Sequence, residues 1–362
     1  MKKIKKLLQT ILGVKIVRKL MRTVNLTVAR IFSFTYLLSI PFHWLLFFPF
    51  MREQRAVLKG KRNYYINLKQ ANSKSRIALR RNIHRLEKAL IMRPRRPTFS
   101  QGYILETVEV YAVSVNQHKA DPSTYDESEL HWANNVLKRY FEAIKKPTPQ
   151  IVKAQTLFEK QDYKPDSQDI APFVRVKPKD LPSYDQLLSL SMYRRSARWF
   201  LKKKVSRNDI DEAMLVARQS PTACNRLPYE YRLFDDPKLV KIVANTPFGT
   251  TGYADNVPAI AVLVGKLDSY FSTRDRHAIY VDSSLSAMSF AFALETKGIS
   301  TCMINWPDFE PLEAKMQKLL GLRFDERPIM LIAIGYADPK AEVPYSQKKS
   351  LDVIRSYNKI SK

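Results

Sequence analysis

The charge-free run over residues 31–51 constrains the N-terminal part of this chain more than any other feature. Its 21 residues are rich in Phe, Leu, Trp and Tyr, so they need to be buried in lipid or in a protein core. Pro41 interrupts the run and Pro49 lies near its end, which disfavours a single straight spanning helix. We therefore expect a helix-break-helix hairpin or an interfacial anchor, and a buried aromatic hairpin is the alternative.

Basic residues are concentrated in the same part of the chain. Residues 1–100 contain 24 Lys and Arg against two acidic residues, Glu53 and Glu87, which gives +22 of the total net charge of +27. This asymmetry indicates a polyanionic surface as partner. Because basic sequence flanks the apolar run on both sides, we predict a monotopic or hairpin anchor at the cytoplasmic face of an anionic membrane, and no nucleic-acid partner.

Composition divides the chain into four parts. We predict a basic membrane-associating segment over residues 1–52, with an amphipathic helix over residues 2–22, and a basic helical extension over residues 53–146. Helices of the extension are expected at residues 73–92, 103–117 and 127–145. Six prolines predict a linker over residues 147–182, and residues 183–362 are expected to form a compact domain.

The C-terminal domain alternates short apolar segments with helical periodicity, which predicts an α/β fold. Predicted strands occupy residues 231–234, 259–264, 301–305 and 329–334. Predicted helices occupy residues 206–219, 238–244, 276–297 and 310–320. Ser206 and Asp209 fit a capping box at the start of the first of these helices. Gly298 and Gly321 are expected to end the helices over residues 276–297 and 310–320, respectively.

Two segments of this domain carry candidate binding chemistry. The arginine segment, residues 194–198, places Arg194, Arg195 and Arg198 around the Ser196 hydroxyl. Three guanidinium groups suit a dianionic phosphate and a polarisable carbonyl edge. The small-residue loop, residues 220–227, combines Pro, Thr, Ala and Asn, so its backbone can approach a flat ligand closely. Together the two segments indicate a flavin site.

In this order, the two segments resemble the opening of the nitroreductase family of FMN-dependent oxidoreductases, and the resemblance extends over residues 183–355. It implies an α+β fold with a mixed central sheet flanked by helices, preceded here by a helical N-terminal extension. It also implies a homodimer in which the small-residue loop reaches the FMN of the second subunit.

The family's cofactor contacts can be carried onto four groups of residues in this sequence. The resemblance assigns the phosphate and ribityl contacts to Arg194, Arg195 and Ser196, and the pyrimidine edge to Arg198. It assigns the loop contacts to Pro221, Thr222, Ala223 and Asn225. It places Ile304, Asn305 and Trp306 near flavin N5, and Lys348 or Lys349 at the phosphate. Trp306 stands where the family commonly has Gly, so we expect its indole to narrow the approach to N5.

The resemblance implies an FMN-dependent oxidoreductase that takes hydride from NADH or NADPH and reduces an unidentified small-molecule acceptor at a membrane surface. No catalytic side chain is assigned, because the cofactor performs the chemistry and the protein positions it. Two alternatives stay open. One is reductive dehalogenation, as in iodotyrosine deiodinase. The other is a non-catalytic flavin-binding interaction module of a membrane assembly of the polysaccharide-synthesis type.

Cysteine and histidine usage predicts neither a metal centre nor a disulfide framework. Cys224 and Cys302 form no CxxC or metal-ligand spacing, and the five histidines are scattered along the chain. We expect both thiols to be small buried residues beside the flavin.

Overall fold

The structure, a computed structural model, describes residues 13–46, 49–68, 75–163 and 170–360. Within these ranges the extension folds into helices. They are α1 (Val14–Phe32), α2 (Tyr36–Leu46), α3 (Pro49–Asn67), α4 (Ile77–Leu90), α5 (Ile104–Ala120), α6 (Glu127–Ala143) and α7 (Pro149–Glu159). Most of the predicted helix over residues 2–22 lies outside the described residues, which begin at residue 13.

The C-terminal domain contains all four predicted strands, and each is longer than predicted. They are β1 (Tyr229–Phe234), β2 (Ala259–Lys266), β3 (Ser300–Asn305) and β4 (Glu326–Gly335). The helices are α8 (Tyr184–Tyr193), α9 (Arg207–Ala217), α10 (Pro237–Ala244), α11 (Ala278–Glu295), α12 (Glu310–Leu320) and α13 (Leu351–Ile354). The predicted α+β fold with a helical N-terminal portion is confirmed.

The central sheet has the strand order β1-β2-β4-β3, and neighbouring strands pair antiparallel. In the middle of β2, Val262 faces Arg232 of β1 on one side and Leu331 of β4 on the other. An isolated bridge between Ser196 and Thr301 is parallel. The bridge places the arginine segment at the β3 edge of the sheet.

Helices cover both faces of the sheet because both faces are apolar. Successive side chains of a strand point to opposite faces. Leu263 of β2 accordingly lies in one buried cluster with Phe290 of α11, while Val262 lies in a second cluster with Val243 of α10 and Met316 of α12. The result is a three-layer domain with α11 on one side of the sheet.

The extension has its own apolar core. In α4 the buried residues Leu79, Ile83 and Leu86 recur at helical spacing and share a cluster with Tyr111 of α5 and Leu137 of α6. These residues form the apolar face of the helix, which packs inside the extension.

The first part of the predicted linker is a packed helix. In α7, Pro149 occupies the first turn, where its missing N–H leaves no helical hydrogen bond unmade. Ile151 and Ala154 are fully buried, and α7 packs against α5. This proline marks a helix start, which explains the difference from the predicted linker.

Helices α1 and α2 form a helical hairpin, which contains residues 31–46 of the apolar run. Helix α1 ends at Phe32, and its ring lies 5.1 Å from that of Phe42 in α2. The Thr35 hydroxyl accepts the Leu38 N–H at 3.2 Å and so helps to start α2. The break between the two helices lies at residues 33–35, and Pro41 lies inside α2. No described helix combines the length and apolar character needed to cross a bilayer.

Helix α3 joins this hairpin to the C-terminal domain and crosses the predicted boundary at residue 52. Gly60 lies against Leu267, where an added Cβ would come within 2.6 Å of the Leu267 Cβ. The buried Arg52 contacts Glu310 at 3.2 Å and Glu313 at 3.4 Å. The extension and the domain are thus joined by close packing and by ion pairs.

The predicted capping box was wrong. Ser206 precedes α9 as its N-cap residue, but its side chain makes no capping hydrogen bond. Asp209 instead accepts a hydrogen bond from Lys297 Nζ at 3.1 Å, because α9 packs against α11. A tertiary ion pair takes the place of the local cap. Gly298 and Gly321 have the positive φ expected after a helix, at 70° and 61°.

Candidate functional site

The arginine segment runs along the edge of β3. The Ala197 N–H donates to the Thr301 carbonyl at 3.2 Å, and Ser196 forms the parallel bridge with Thr301. Arg194 is the residue that caps α8 at its C-terminus. The side chains of Arg194 and Arg195 are half-buried, and Arg198 is exposed. The predicted phosphate contacts are therefore held on a sheet edge.

None of the three arginines forms an ion pair with a carboxylate of the described chain. Arg194 Nε is buried and has no hydrogen-bond partner there. Arg195 Nη1 donates to the Arg194 carbonyl at 3.0 Å. The Arg198 guanidinium carbon lies 5.9 Å from the centre of the Tyr253 ring. Unpaired guanidinium groups at one place are suited to an anionic ligand.

A buried carboxyl lies beside these arginines. Glu295, in the last turn of α11, accepts from the Ser300 hydroxyl at 3.0 Å. Burial raises the pKa of Glu295, while the Ser300 hydrogen bond and the Arg194 charge act in the opposite direction. Its Oε2 and the Thr301 hydroxyl have no hydrogen-bond partner among the described residues. The start of β3 thus holds a buried carboxylate oxygen and a buried hydroxyl that lack hydrogen-bond partners among the described residues.

The small-residue loop has a strained backbone. Cys224, Asn225 and Leu227 have φ angles of 56°, 52° and 47°. A left-handed conformation costs a non-glycine residue about 1–3 kcal/mol, so surrounding contacts must hold it. Within the loop, the Leu227 N–H donates to the Thr222 hydroxyl at 3.1 Å, and the Asn225 N–H donates to the Thr222 carbonyl at 3.0 Å.

Asp282 anchors one side of this loop from the start of α11. Its Oδ2 accepts from the Ala223 N–H at 2.9 Å and from the Tyr270 hydroxyl at 3.0 Å. Burial raises the pKa of Asp282, although these two hydrogen bonds and the charge of Arg226 oppose the shift. Sequence reasoning missed Asp282. The available signal was its position as the one acidic residue in the first three turns of an apolar helix.

Arg80 of the extension contacts the other side of the small-residue loop. Its Nε donates to the Asn225 carbonyl at 3.0 Å, and its Nη1 donates to Glu129 at 3.1 Å. The sequence placed Arg80 in an Arg-rich helix, where a charge run is typical of a solvated face. No local signal distinguished it from the other arginines of that helix.

One chain does not bring the arginine segment and the small-residue loop together. The loop is bound to Asp282 at the start of α11, whereas the arginine segment lies near Glu295 at the end of the same helix. These two residues are thirteen positions apart, which is about 20 Å along a helix. The two predicted halves of the flavin site therefore lie at opposite ends of α11.

The three residues predicted to lie near flavin N5 have different surroundings at the end of β3. Ile304 is buried and Asn305 is exposed. The indole of Trp306 is buried and donates from Nε1 to Glu313 Oε1 at 2.8 Å. The ring packs in the cluster behind the sheet and joins a buried ion network. The position of Trp306 near flavin N5 stays a prediction.

The remaining predicted contacts lie in the C-terminal segment. Lys348 and Lys349 belong to residues 342–360, which are exposed along their whole length. The structure gives these lysines no contact with the arginine segment. Both cysteines are free, and no group of His, Cys, Asp or Glu within the described ranges could hold a metal ion.

Comparisons with known proteins address the C-terminal half of the chain. The model of the nitroreductase family matches residues 192–248 and 244–336. An FMN-dependent nitroreductase from Clostridium difficile is 16% identical, with 48% of this chain and 99% of that chain covered and a TM-score of 0.42. A nitroreductase family protein from Streptococcus pneumoniae is 21% identical, with 48% and 100% covered and a TM-score of 0.41. A search of curated proteins found no match.

Proposed function

We propose that the protein binds FMN and uses NADH or NADPH to reduce a small-molecule acceptor, because the nitroreductase family model matches residues 192–248 and 244–336. The arginine segment carries the proposal. Arg194 and Arg195 are half-buried without a carboxylate partner, and Arg194 Nε has no hydrogen-bond partner among the described residues. A phosphate monoester supplies the negative charge and the acceptor oxygens that these groups lack.

The residues of the chain have separate tasks in this proposal. Bound FMN supplies the hydride chemistry. Arg194, Arg195 and Ser196 bind its phosphate end. Arg198 provides a positive charge at the pyrimidine edge, where it stabilises the negative charge that grows on reduction. The strained backbone of the small-residue loop lies against the ring and excludes water.

We place the complete site at the interface of a homodimer. The small-residue loop and the arginine segment of one chain lie about 20 Å apart along α11, so a second copy is needed to bring the two parts to one cofactor. Apolar side chains of α8, including Leu187, Met192 and Tyr193, are exposed. Tyr345 and Ile354 of the C-terminal segment are exposed as well. These surfaces are suited to burial in a dimer.

We place the protein at an anionic membrane through its hairpin. On α1, Ile16, Leu20 and Val24 lie on one face and are each more than half exposed. Lys15, Arg18 and Arg22 lie on the opposite side of the helix. An exposed apolar face with basic residues opposite fits an interfacial helix at anionic head groups.

Absorbance of purified protein tests the central proposal. We expect one FMN per chain, and anaerobic addition of NADH or NADPH should bleach the flavin absorbance. Bound FMN that neither nucleotide reduces would favour the non-catalytic flavin-binding module. A purified chain that takes up no FMN would contradict the proposal.

Mixing two variants tests the shared site. Arg195→Ala damages the arginine segment and Asn225→Ala damages the loop, and each should bind FMN poorly as a homodimer. A mixed dimer contains one intact site, formed by the wild-type loop of one chain and the wild-type arginine segment of the other. We expect FMN binding to return to up to half of the sites. Lack of recovery in a verified mixed dimer would contradict a site shared between chains.

Vesicle flotation tests the membrane attachment. A chain lacking residues 1–46 retains α3 and Arg52, so its domain contacts are preserved. We expect full-length protein to float with anionic vesicles and the truncated protein to remain behind with FMN bound. Flotation of both proteins, or of neither, would contradict the anchor. DNA at matched salt serves as the polyanion control.

A further inference from the structure

Arg80 connects the extension to the small-residue loop through two hydrogen bonds. Its Nε contacts the Asn225 carbonyl oxygen at 3.0 Å, and its Nη1 contacts Glu129 Oε2 at 3.1 Å. One guanidinium therefore joins a backbone carbonyl of the loop to a carboxylate of the extension core. Asn225 has a left-handed backbone, so the contact falls on the strained part of the loop.

The Glu129 carboxylate fixes the direction of the Arg80 side chain. It is buried, and it also accepts from the Ser75 hydroxyl at 2.5 Å and from the Tyr125 hydroxyl at 2.5 Å. The Trp132 ring centre lies 5.5 Å from the Arg80 guanidinium carbon. Since these groups belong to the extension core, the guanidinium is held in place independently of the loop.

A cavity lies behind the loop beside this contact. It has a volume of about 470 Å³, and Arg76, Arg226 and Leu227 are among its lining residues. Helix α4 also packs directly on residues 223–225. The Arg80 hydrogen bonds and this packing together determine the position of the loop.

We infer that Arg80 is a positioning residue for the cofactor, which holds the Asn225 carbonyl and keeps the small-residue loop in its FMN-binding conformation. The inference rests on the proposed function of this loop. Lysine cannot replace Arg80 fully, because a single ammonium nitrogen cannot occupy the Nε and Nη1 positions together. The extension is then a part of the cofactor site in addition to being an anchor.

Full-length Arg80→Met and Arg80→Lys proteins test the inference. FMN affinity is measured by fluorescence quenching, and visible circular dichroism reports the surroundings of the bound flavin. We expect FMN binding to weaken about 10- to 100-fold in Arg80→Met, as for the loss of one charge-assisted hydrogen bond. The circular dichroism should change as well, and Arg80→Lys should recover part of both properties.

Arg85→Met is the matched control on the same helix. The Arg85 guanidinium carbon lies 3.6 Å from the centre of the Tyr103 ring, inside the extension. Its loss should leave FMN affinity and the circular dichroism unchanged. Unchanged FMN affinity in folded Arg80→Met protein would overturn the inference. If Arg80→Met does not fold, unchanged FMN affinity in Arg80→Lys would overturn the inference.

Hydrogen exchange without FMN separates this inference from the proposed function. We expect the amides of Ala223, Asn225 and Leu227 to exchange faster in Arg80→Met than in the wild type. If the wild type binds no FMN, the proposed function fails, and the exchange rates still decide whether Arg80 holds the loop. Equal exchange in both proteins would overturn the inference.

Discussion

The arginines of the extension and those of the arginine segment differ in their partners. Arg52 contacts the buried Glu313, and Arg80 contacts the buried Glu129. Within the described part of the chain, Arg194 and Arg195 pair with no carboxylate. A guanidinium that is paired with a buried carboxylate joins elements of the fold, whereas a half-buried one without a carboxylate partner can take its counter-charge from a ligand. The comparison separates arginines that join the parts of the fold from arginines that are open to an anion.

Replacement of Glu313 tests the arginines that pair with buried carboxylates, and it has the largest expected effect on stability. Its carboxylate accepts from Arg327 Nε at 3.1 Å and pairs with Arg52. In Glu313→Ala, the buried Arg327 loses one of its two carboxylate partners and keeps Asp308. We expect the free energy of unfolding to fall by about 3–5 kcal/mol, measured by urea denaturation.

Glu310→Ala is the control for this prediction. Glu310 contacts the same Arg52 at 3.2 Å, but its side chain is 49% exposed against 4% for Glu313. Its loss should cost only about 0.2–1 kcal/mol because water replaces most of the interaction. Equal losses in the two variants would show that burial does not decide the strength of these pairs.

Replacement of Arg195 tests the arginines that have no carboxylate partner among the described residues. Because no described carboxylate depends on this guanidinium, Arg195→Ala should leave the thermal midpoint of the apo protein unchanged. FMN binding should weaken by about 1.5–3 kcal/mol, the range for a charge-assisted hydrogen bond. Titration with FMN gives the affinity. A large loss of stability with normal FMN affinity would place Arg195 among the structural arginines.

Arg207→Ala is the matched arginine control in the same domain. Arg207 is 78% exposed and makes two 2.8 Å hydrogen bonds to Asp235. It lies outside the arginine segment, so its loss should leave FMN affinity at the wild-type value. A similar loss of FMN affinity in this variant would point to a general charge effect.

Gly60→Ala tests the packed contact between the extension and the domain. The added Cβ would meet Leu267 Cβ at 2.6 Å and the Leu267 backbone carbonyl carbon at 2.7 Å. Overpacking outweighs the better helix propensity of Ala, and we expect a loss of about 1–2 kcal/mol in unfolding free energy. Gly102→Ala, where no atom lies within 4 Å of the new Cβ, should be close to neutral. Similar effects at both positions would contradict close packing at Gly60.

Asp282→Asn gives the smallest expected effect and tests a buried carboxylate that has no arginine ion pair. Burial raises the folded-state pKa of Asp282 above its usual value of 3.8, so the folded state holds the proton more tightly than the unfolded state. Its contribution to stability is therefore greatest below that usual value and is lost as pH rises through the folded-state pKa.

The pH dependence of that variant is the measurement. The unfolding free energy of Asp282→Asn relative to the wild type should increase with rising pH and become constant above the folded-state pKa. An asparagine oxygen can still accept from the Ala223 N–H, so the loop should keep its anchor. A stability difference that does not vary with pH would contradict the raised pKa.

Local patterns in the sequence determined the elements of the domain and located two candidate binding motifs. Short β-branched runs located all four strands, and Gly298 and Gly321 marked helix ends, because strand and cap preferences act over a few residues. The arginine segment and the small-residue loop were found in the same way, since each motif is contiguous. Boundaries were less well predicted, as the helix start at Pro149 shows.

Only the tertiary structure decided which distant groups meet. Arg80 and the Asn225 carbonyl are 145 positions apart, and their contact depends on how the extension packs on the domain. Trp306 turns toward Glu313, and α11 separates the two halves of the predicted cofactor site. Side-chain direction and long-range pairing depend on the shape of the whole core, whereas the sequence reports mainly the preferences of neighbouring residues.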